Sequence, residues 1–375
     1  MQTVFRNAKI VLAEVVIDGA IAIEGESIAA IDPGIATTGD DLDGDYLIPG
    51  LVELHTDHLE NHYRPRPNVF WNPLAALHAH DVQIAGSGIT TVFDAVRIGS
   101  DSDMPEMDEH AALLLAAIRQ GSSDRRLRAE HFVHLRCELP SPDVVEHFDQ
   151  FAHFPEVRLA SVMDHTPGQR QFQSITAYAS FYKKDQTDEE FAAYIAERHA
   201  EQAKYADANR QAIFKRGGEL GVAFASHDDA TEAHVAEGIR DGVRISEFPT
   251  TLVAAEAAHK AGLAVLMGAP NVVRGKSHSG NISATELAKA GYLDVLSSDY
   301  VPYALMQAAF MLPERAPAIS LPEAVAKVTR NPAHAAGLDD RGEIAVGLRA
   351  DLVRVRLIDG QPVVREVWRQ GVRVS

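Results

Sequence analysis

Polar residues gather at the ends of apolar segments along this chain. LVELHTDHLE carries His55 and Asp57, RCE ends in Glu138, MDH ends in His165, SHDD holds His227 and SSD ends in Asp299. Imidazoles and carboxylates are the ligand set of a catalytic zinc or a related divalent ion. His55 and Asp57 stand two apart, so on a strand their side chains share one face and reach one ion. A single strand-end histidine is more often a hydrogen-bonded structural residue. Six ligand-type residues closing five strands are not explained that way. They predict a metal centre of one or two divalent ions, zinc first, with iron or manganese as alternatives. Asp94 closes a further strand and reads equally well as a buried hydrogen-bond acceptor.

A second set of residues suits anions. NHYRPRP supplies His62, Arg64 and Arg66, and GAPNVVRGKSHSGN supplies Arg274, Lys276, Ser277 and His278 among Gly268, Gly275 and Gly280. Glycines let backbone N–H groups approach a phosphate closely, and Arg and Lys add charge. The spacing is not that of a P-loop. Arg170, between Gln169 and Gln171, follows His165 and offers substrate contacts, although Pro167-Gly168 also reads as a plain turn. His78, His80 and Asp81 fall in a predicted helix and read as structural. Lys183 and Lys184 read as a solvated face. Cys137 precedes Glu138, so it faces away from the lumen and reads as simply buried.

These residues need a scaffold that brings strand ends together. Candidate strands are Leu51–Asp57, Thr90–Asp94, His131–Glu138, Val157–His165, Gly221–His227, Ile245–Pro249, Ala264–Ala269 and Leu293–Asp299. Ala-rich amphipathic stretches fill most gaps. Strand alternating with helix eight times predicts an α/β fold, a (β/α)8 barrel over 49–339, whose strand C-termini open on one face. The insertion 166–220 reads as extended helix and is a candidate lid. Short alternating segments at 1–48 and 340–375 predict a small β-sandwich domain built from both termini.

Composition narrows the partners. The 375 residues are 46% hydrophobic and 23% charged, an ordinary globular balance. With 35 Lys+Arg against 53 Asp+Glu the net charge is −18, which disfavours nucleic acid and anionic membranes but not a locally basic pocket. One cysteine excludes an intrachain disulfide and Cys-based zinc knuckles. No apolar run reaches a membrane span and the N-terminus lacks a signal-peptide pattern, so a cytoplasmic protein is expected. The oligomeric state stays open, a homodimer included.

GLVELHTDHLE, GITTVFDA, MDHTPGQRQ, GAPNVVRGKSHSGN, SSDY-x-P and the tail from NPA to RGEIAVGLRADLV resemble the amidohydrolase superfamily. More closely they resemble its phosphonate-metabolism branch, the α-D-ribose 1-methylphosphonate 5-triphosphate diphosphatases. The resemblance runs from about residue 45 to the C-terminus. It implies a metal-bearing barrel flanked by a β-sandwich, and a small phosphorylated sugar phosphonate as substrate, cleaved to pyrophosphate and the 5-phosphate. By motif it puts His55, Asp57, His165, His227 and Asp299 at ligand positions. Glu138 stands where many relatives carry a carboxylated lysine. Asp299, beside the expected metal, is the expected general base, and Arg64, Arg66, Arg274 and Lys276 would offset phosphoryl charge. Strand one has His-x-Asp where most of the superfamily has His-x-His, and Glu138, His165 and His227 fall on strands three to five, not four to six. The alternative on the same scaffold is C–N bond hydrolysis by a deacetylase, deaminase or cyclic amidase, which would not need the basic, Gly-rich loop.

Overall fold

A computed structural model describes residues 2–34, 36–100, 107–171, 174–183, 186–277 and 280–375. The strands in chain order are β1 (Gln2–Val11), β2 (Val16–Glu24), β3 (Ser27–Asp32), β4 (Asp40–Asp41), β5 (Tyr46–Pro49), β6 (Leu51–Thr56), β7 (Ile89–Ile98) and β8 (Glu130–Glu138). They continue as β9 (Val157–Met163), β10 (Ala223–His227), β11 (Ile245–Glu247), β12 (Ala264–Gly268), β13 (Val295–Ser297), β14 (Leu352–Ile358), β15 (Gln361–Arg369) and β16 (Val372–Arg373).

Strands β6 to β13 form an eight-stranded parallel sheet in sequence order, a nearly closed barrel with connecting helices. Thr56 bridges Asp299 in parallel, and its Oγ1 donates to the Asp299 carbonyl at 2.9 Å. All eight expected strands are present, with β7 running on to Ile98. Among the described residues no extra strand precedes β6 in this sheet, so Glu138 does close the third strand. β6 is buried at every position, as a strand covered on both faces must be.

The two termini build one further sheet, ordered β16-β15-β14-β5-β1-β2-β3 with β4 also on β1. Its hairpins are antiparallel, while β4 and β5 run parallel to β1. It curls over a core of Phe5, Ile10, Ile21, Leu352 and Trp368, with the Phe5 and Trp368 rings 4.5 Å apart. Its far ends meet so closely at Gly371 (φ 72°) that a Cβ there would stand 2.3 Å from the Gly25 carbonyl oxygen.

The early helices are α1 (His58–Tyr63), α2 (Pro73–Gly86), α3 (Met107–Ser123), α4 (Val144–Phe151), α5 (Ile175–Tyr182) and α6 (Asp188–Leu220). α2 starts with Pro73 behind Asn72, whose side chain accepts from the Ala75 amide. α6, 33 residues long, realises the extended helix expected in the insertion. Thr187 and Glu190 close a capping box at its start, and Gly221 ends it in the left-handed region. Gly217 lets α6 pack on β10, since a Cβ would stand 2.3 Å from the Phe224 ring. Among the described residues no helix is long and apolar enough to cross a membrane.

The chain packs as two compact units. One comprises Met1–Asp94, Ala117–Phe132 and Met267–Ser375, the other Ala95–Ala116 and Val133–Leu266.

Candidate active site

In the second unit, β10 ends at the buried His227, and Asp228 follows in a left-handed backbone conformation (φ 55°), which aspartate tolerates better than most residues. The Asp228 amide donates to the Glu247 carbonyl at the end of β11. The Glu247 carboxylate lies 3.2 Å from His227 Nδ1, and His227 Nε2 lies 3.5 Å from Asp228 Oδ2. That Oδ2 is buried and has no hydrogen-bond partner among the described residues. His165, His227 and Asp228 each offer one ligand atom, and these atoms lie within 4.8 Å of one another. A buried, unsatisfied carboxylate oxygen beside two imidazoles is the donor set a divalent cation fits.

Glu138 orients this group. Its carboxylate accepts from the His165 amide at 3.0 Å, sits 2.5 Å from His165 Nδ1 and accepts from Arg97 Nη2 at 3.2 Å. Burial works against its charge, but His165 and Arg97 prevail and hold the carboxyl far below the usual range. A carboxylate on one ring nitrogen of a ligand histidine fixes its tautomer and aims the other nitrogen outward.

A cavity of about 270 Å³ opens against these residues within the same unit. Glu138 and His165 share its lining with Arg97, Arg136 and Arg198 and with Tyr178, Tyr182 and Tyr194. The Tyr178 and Tyr194 hydroxyls are 3.2 Å apart, and Tyr178 stacks on Tyr182 at 4.4 Å. The insertion thus supplies one wall, through α5 and α6. Three guanidiniums line this cavity, Arg97 in an ion pair with Glu138 and Arg198 in one with Glu201 and over the Tyr194 ring.

In the first unit, His55 is the buried penultimate residue of β6, and Asp57, just past the strand, has its Oδ1 4.0 Å from His55 Nε2. The Asp57 amide donates to the Asp299 carbonyl, and the Asp299 amide to the His55 carbonyl. Asp299 is left-handed (φ 57°). Beneath them Glu53, fully buried, accepts from the His55 amide (2.6 Å), Ser297 Oγ (2.7 Å) and the Ser298 amide (2.5 Å). Burial pushes its carboxyl up to about 7 despite these donors.

The remaining expected residues are placed as follows. Arg170 is buried and engaged: its Nη1 donates to Asp229 Oδ1 at 2.7 Å and to the His227 carbonyl at 3.3 Å, and Nη2 reaches Glu237. The guanidinium anticipated as a substrate contact therefore braces the loop after β10. Arg64 and Arg66 are exposed, and Arg64 lies over the Phe70 ring. Arg274 and Lys276 are exposed and Ser277 is half-buried, while His278 lies outside the described residues, as does Lys184. Lys183 pairs with Asp188. The His62 ring packs against His58 and His80. Cys137 is buried, with its thiol pushed up by burial, and is inert. Asp94 is fully buried between His80 and His131 at 2.7 Å from each, and Asp81 accepts from the Arg128 and Ala129 amides. Asp228, Glu247, Arg97, Arg136 and Arg198 were not anticipated. Only the SHDD doublet hinted at Asp228.

The amidohydrolase family model matches residues 163–375. The α-D-ribose 1-methylphosphonate 5-triphosphate diphosphatase of Escherichia coli (strain K12) is 44% identical over 99% of this chain and 100% of its own length. The fold resembles N-acetylglucosamine-6-phosphate deacetylase from Pasteurella multocida (TM-score 0.65, 14% identity, 100% of this chain and 99% of that one). It also resembles dihydropyrimidinase from Brevibacillus agri (TM-score 0.63, 16% identity, 100% and 95%). At such identities these structures speak for the barrel alone. The family match over more than half of the chain and the full-length relative establish that this chain belongs to the amidohydrolase family.

Proposed function

We propose that the chain hydrolyses α-D-ribose 1-methylphosphonate 5-triphosphate, releasing pyrophosphate and leaving ribose 1-methylphosphonate 5-phosphate. The full-length likeness to the diphosphatase supports the substrate class. The observation that carries the reading is the cavity in which Glu138 and His165 share walls with Arg97, Arg136 and Arg198. A triphosphate carries about four negative charges, and guanidiniums bind phosphate oxygens with paired, charge-assisted hydrogen bonds. A neutral amide substrate would need no such cradle.

We assign His165, His227 and Asp228 as ligands in one unit and His55, Asp57 and Asp299 in the other. When bound, a divalent cation, zinc by donor type, acidifies water towards pKa ~7 and offsets phosphoryl charge. The Glu138 carboxylate holds His165 by Nδ1, and Glu247 holds His227 in the same way. The Asp299 carboxylate accepts the proton of the attacking water. Arg97, Arg136 and Arg198 bind the anionic substrate, with the exposed Arg64, Arg66, Arg274 and Lys276 as further cationic contacts.

The test is phosphorus NMR of zinc-loaded protein with the triphosphate, against a metal-stripped control. Metal-dependent appearance of pyrophosphate and the 5-phosphate is expected. An unchanged spectrum overturns the assignment.

A further inference from the structure

We propose that His58, His62 and His80 form a second metal site, separate from the strand-end ligands, which takes zinc or a similar borderline-soft divalent cation. α1 places His58 and His62 four residues apart on one helical face, and α2 sets His80 opposite them. The ring centroids are 4.9 Å (His58–His62), 5.4 Å (His58–His80) and 6.1 Å (His62–His80) apart. One nitrogen from each ring lies within 4.8 Å of the other two. Nitrogens sharing a tetrahedral zinc at 2.0–2.1 Å stand about 3.3 Å apart. His58 Nδ1 and His80 Nδ1 are already 3.1 Å apart.

Two observations separate this group from an ordinary buried network. The first is the support behind His80. Asp94 Oδ1 lies 2.7 Å from His80 Nε2, and its other oxygen is held by His131 Nδ1, also at 2.7 Å. The carboxylate fixes the His80 proton on Nε2, so Nδ1 presents its lone pair to His58 and His62. That is the outer-sphere arrangement of ligand histidines in metal proteins. The second is His62. Its Nε2 is buried yet has no hydrogen-bond partner among the described residues, while the ring hydrogen-bonds Gln83. The Asp81–His131–Asp94–His80 chain is complete without His58 and His62, so it does not account for the buried, unsatisfied nitrogen of the third imidazole.

Three imidazoles without a carboxylate favour zinc over magnesium, calcium or manganese, which prefer oxygen. On binding, the cation takes the place of the proton that lies between His58 and His80, and His58 then carries its proton on Nε2. The site would clip α1 to α2 and close the loop at 64–72.

The measurement is zinc per chain by mass spectrometry, after loading and gel filtration, for wild type, His62→Ala and His58→Asn. Each variant, folded by circular dichroism, is expected to hold one equivalent fewer than wild type. Cobalt-loaded wild type is expected to lose part of its tetrahedral visible absorption in the same variants. His227→Ala, measured alongside, removes strand-end metal and leaves the clip equivalent in place. A full zinc complement in either folded variant overturns the proposal. So does cobalt absorption in wild type that shows no tetrahedral component beyond the one abolished in His227→Ala, and this holds even where both histidine variants fail to fold.

Discussion

Asp94 lies within β7 and Asp228 just after β10, and both are buried, at 0% and 5% exposure. Their surroundings treat them in opposite ways. Asp94 has both oxygens satisfied, by His80 and His131, and these imidazoles hold its carboxyl far below the usual range against the cost of burial. Asp228 keeps one oxygen buried and unsatisfied, beside His227 and in a left-handed backbone. A buried carboxylate costs several kcal/mol unless it is paired or hydrogen-bonded. The first aspartate is therefore satisfied within the fold, whereas the second keeps an oxygen that no described residue satisfies. Identical residue types thus divide into a stabilising network and a site, and completeness of hydrogen bonding tells them apart.

The largest effect should come from the incomplete region. Asp228→Asn and His227→Ala are each expected to lower kcat/KM for triphosphate hydrolysis on the order of 10³-fold, because Lewis-acid stabilisation contributes several kcal/mol to the barrier. Asp94→Asn should act mainly on thermal stability. Comparing kcat/KM with Tm for Asp228→Asn and Asp94→Asn checks the contrast, and equal activity losses would erase it.

The cavity arginines come next. A hydrogen bond to a charged group contributes about 1.5–3 kcal/mol, so Arg136→Ala and Arg198→Ala should each raise KM roughly 10- to 100-fold with a smaller change in kcat. Arg97→Ala should affect both, since Arg97 also holds Glu138. Glu138→Gln is expected to weaken metal affinity by about 10- to 100-fold while leaving KM for the anion nearer wild type, because it acts through the His165 ring. Isothermal titration with zinc, set beside steady-state kinetics, separates these two effects.

The scaffold was legible because its strands are apolar runs buried on both faces, and the strand-end histidines stood out against them. The insertion was legible as helix from its length and alanine content. The cavity was not. Arg97 and Arg136 sit inside strands, and Arg198 sits on a charged helix among ordinary surface residues. Nothing in local spacing shows that three guanidiniums from distant segments line one space. Arg170 misled for the converse reason: a cation beside a site motif looks like a substrate contact until Asp229 and Glu237 are seen on it. His58, His62 and His80 are 22 residues apart end to end, and only the packing of α1 on α2 brings them together.

The smallest effect probes the finished region by pH. His131 lies between Asp94 and Asp81, with its ring nitrogens 2.7 and 3.3 Å from their oxygens. Burial opposes its protonation, but the two carboxylates prevail and push it from 6.5 up to about 9. A histidine whose folded pKa exceeds its unfolded one stabilises fully below about 6.5 and loses that contribution as pH climbs towards about 9. Asp94 and Asp81 are shifted downward, so their share is present above the ordinary carboxyl value of 3.8 and fades only in acid. Wild-type Tm should therefore decline by a few degrees between pH 6.5 and 9, at roughly 2 °C per kcal/mol for a chain of this size. In His131→Gln, which has no proton to lose there, the baseline Tm should be lower and this slope flatter. Scanning calorimetry of the two proteins across that window measures the difference directly. An unchanged slope in the variant would mean that the alkaline loss arises elsewhere, and that the Asp81–His131–Asp94 group is held together by neutral hydrogen bonds instead of a buried positive charge.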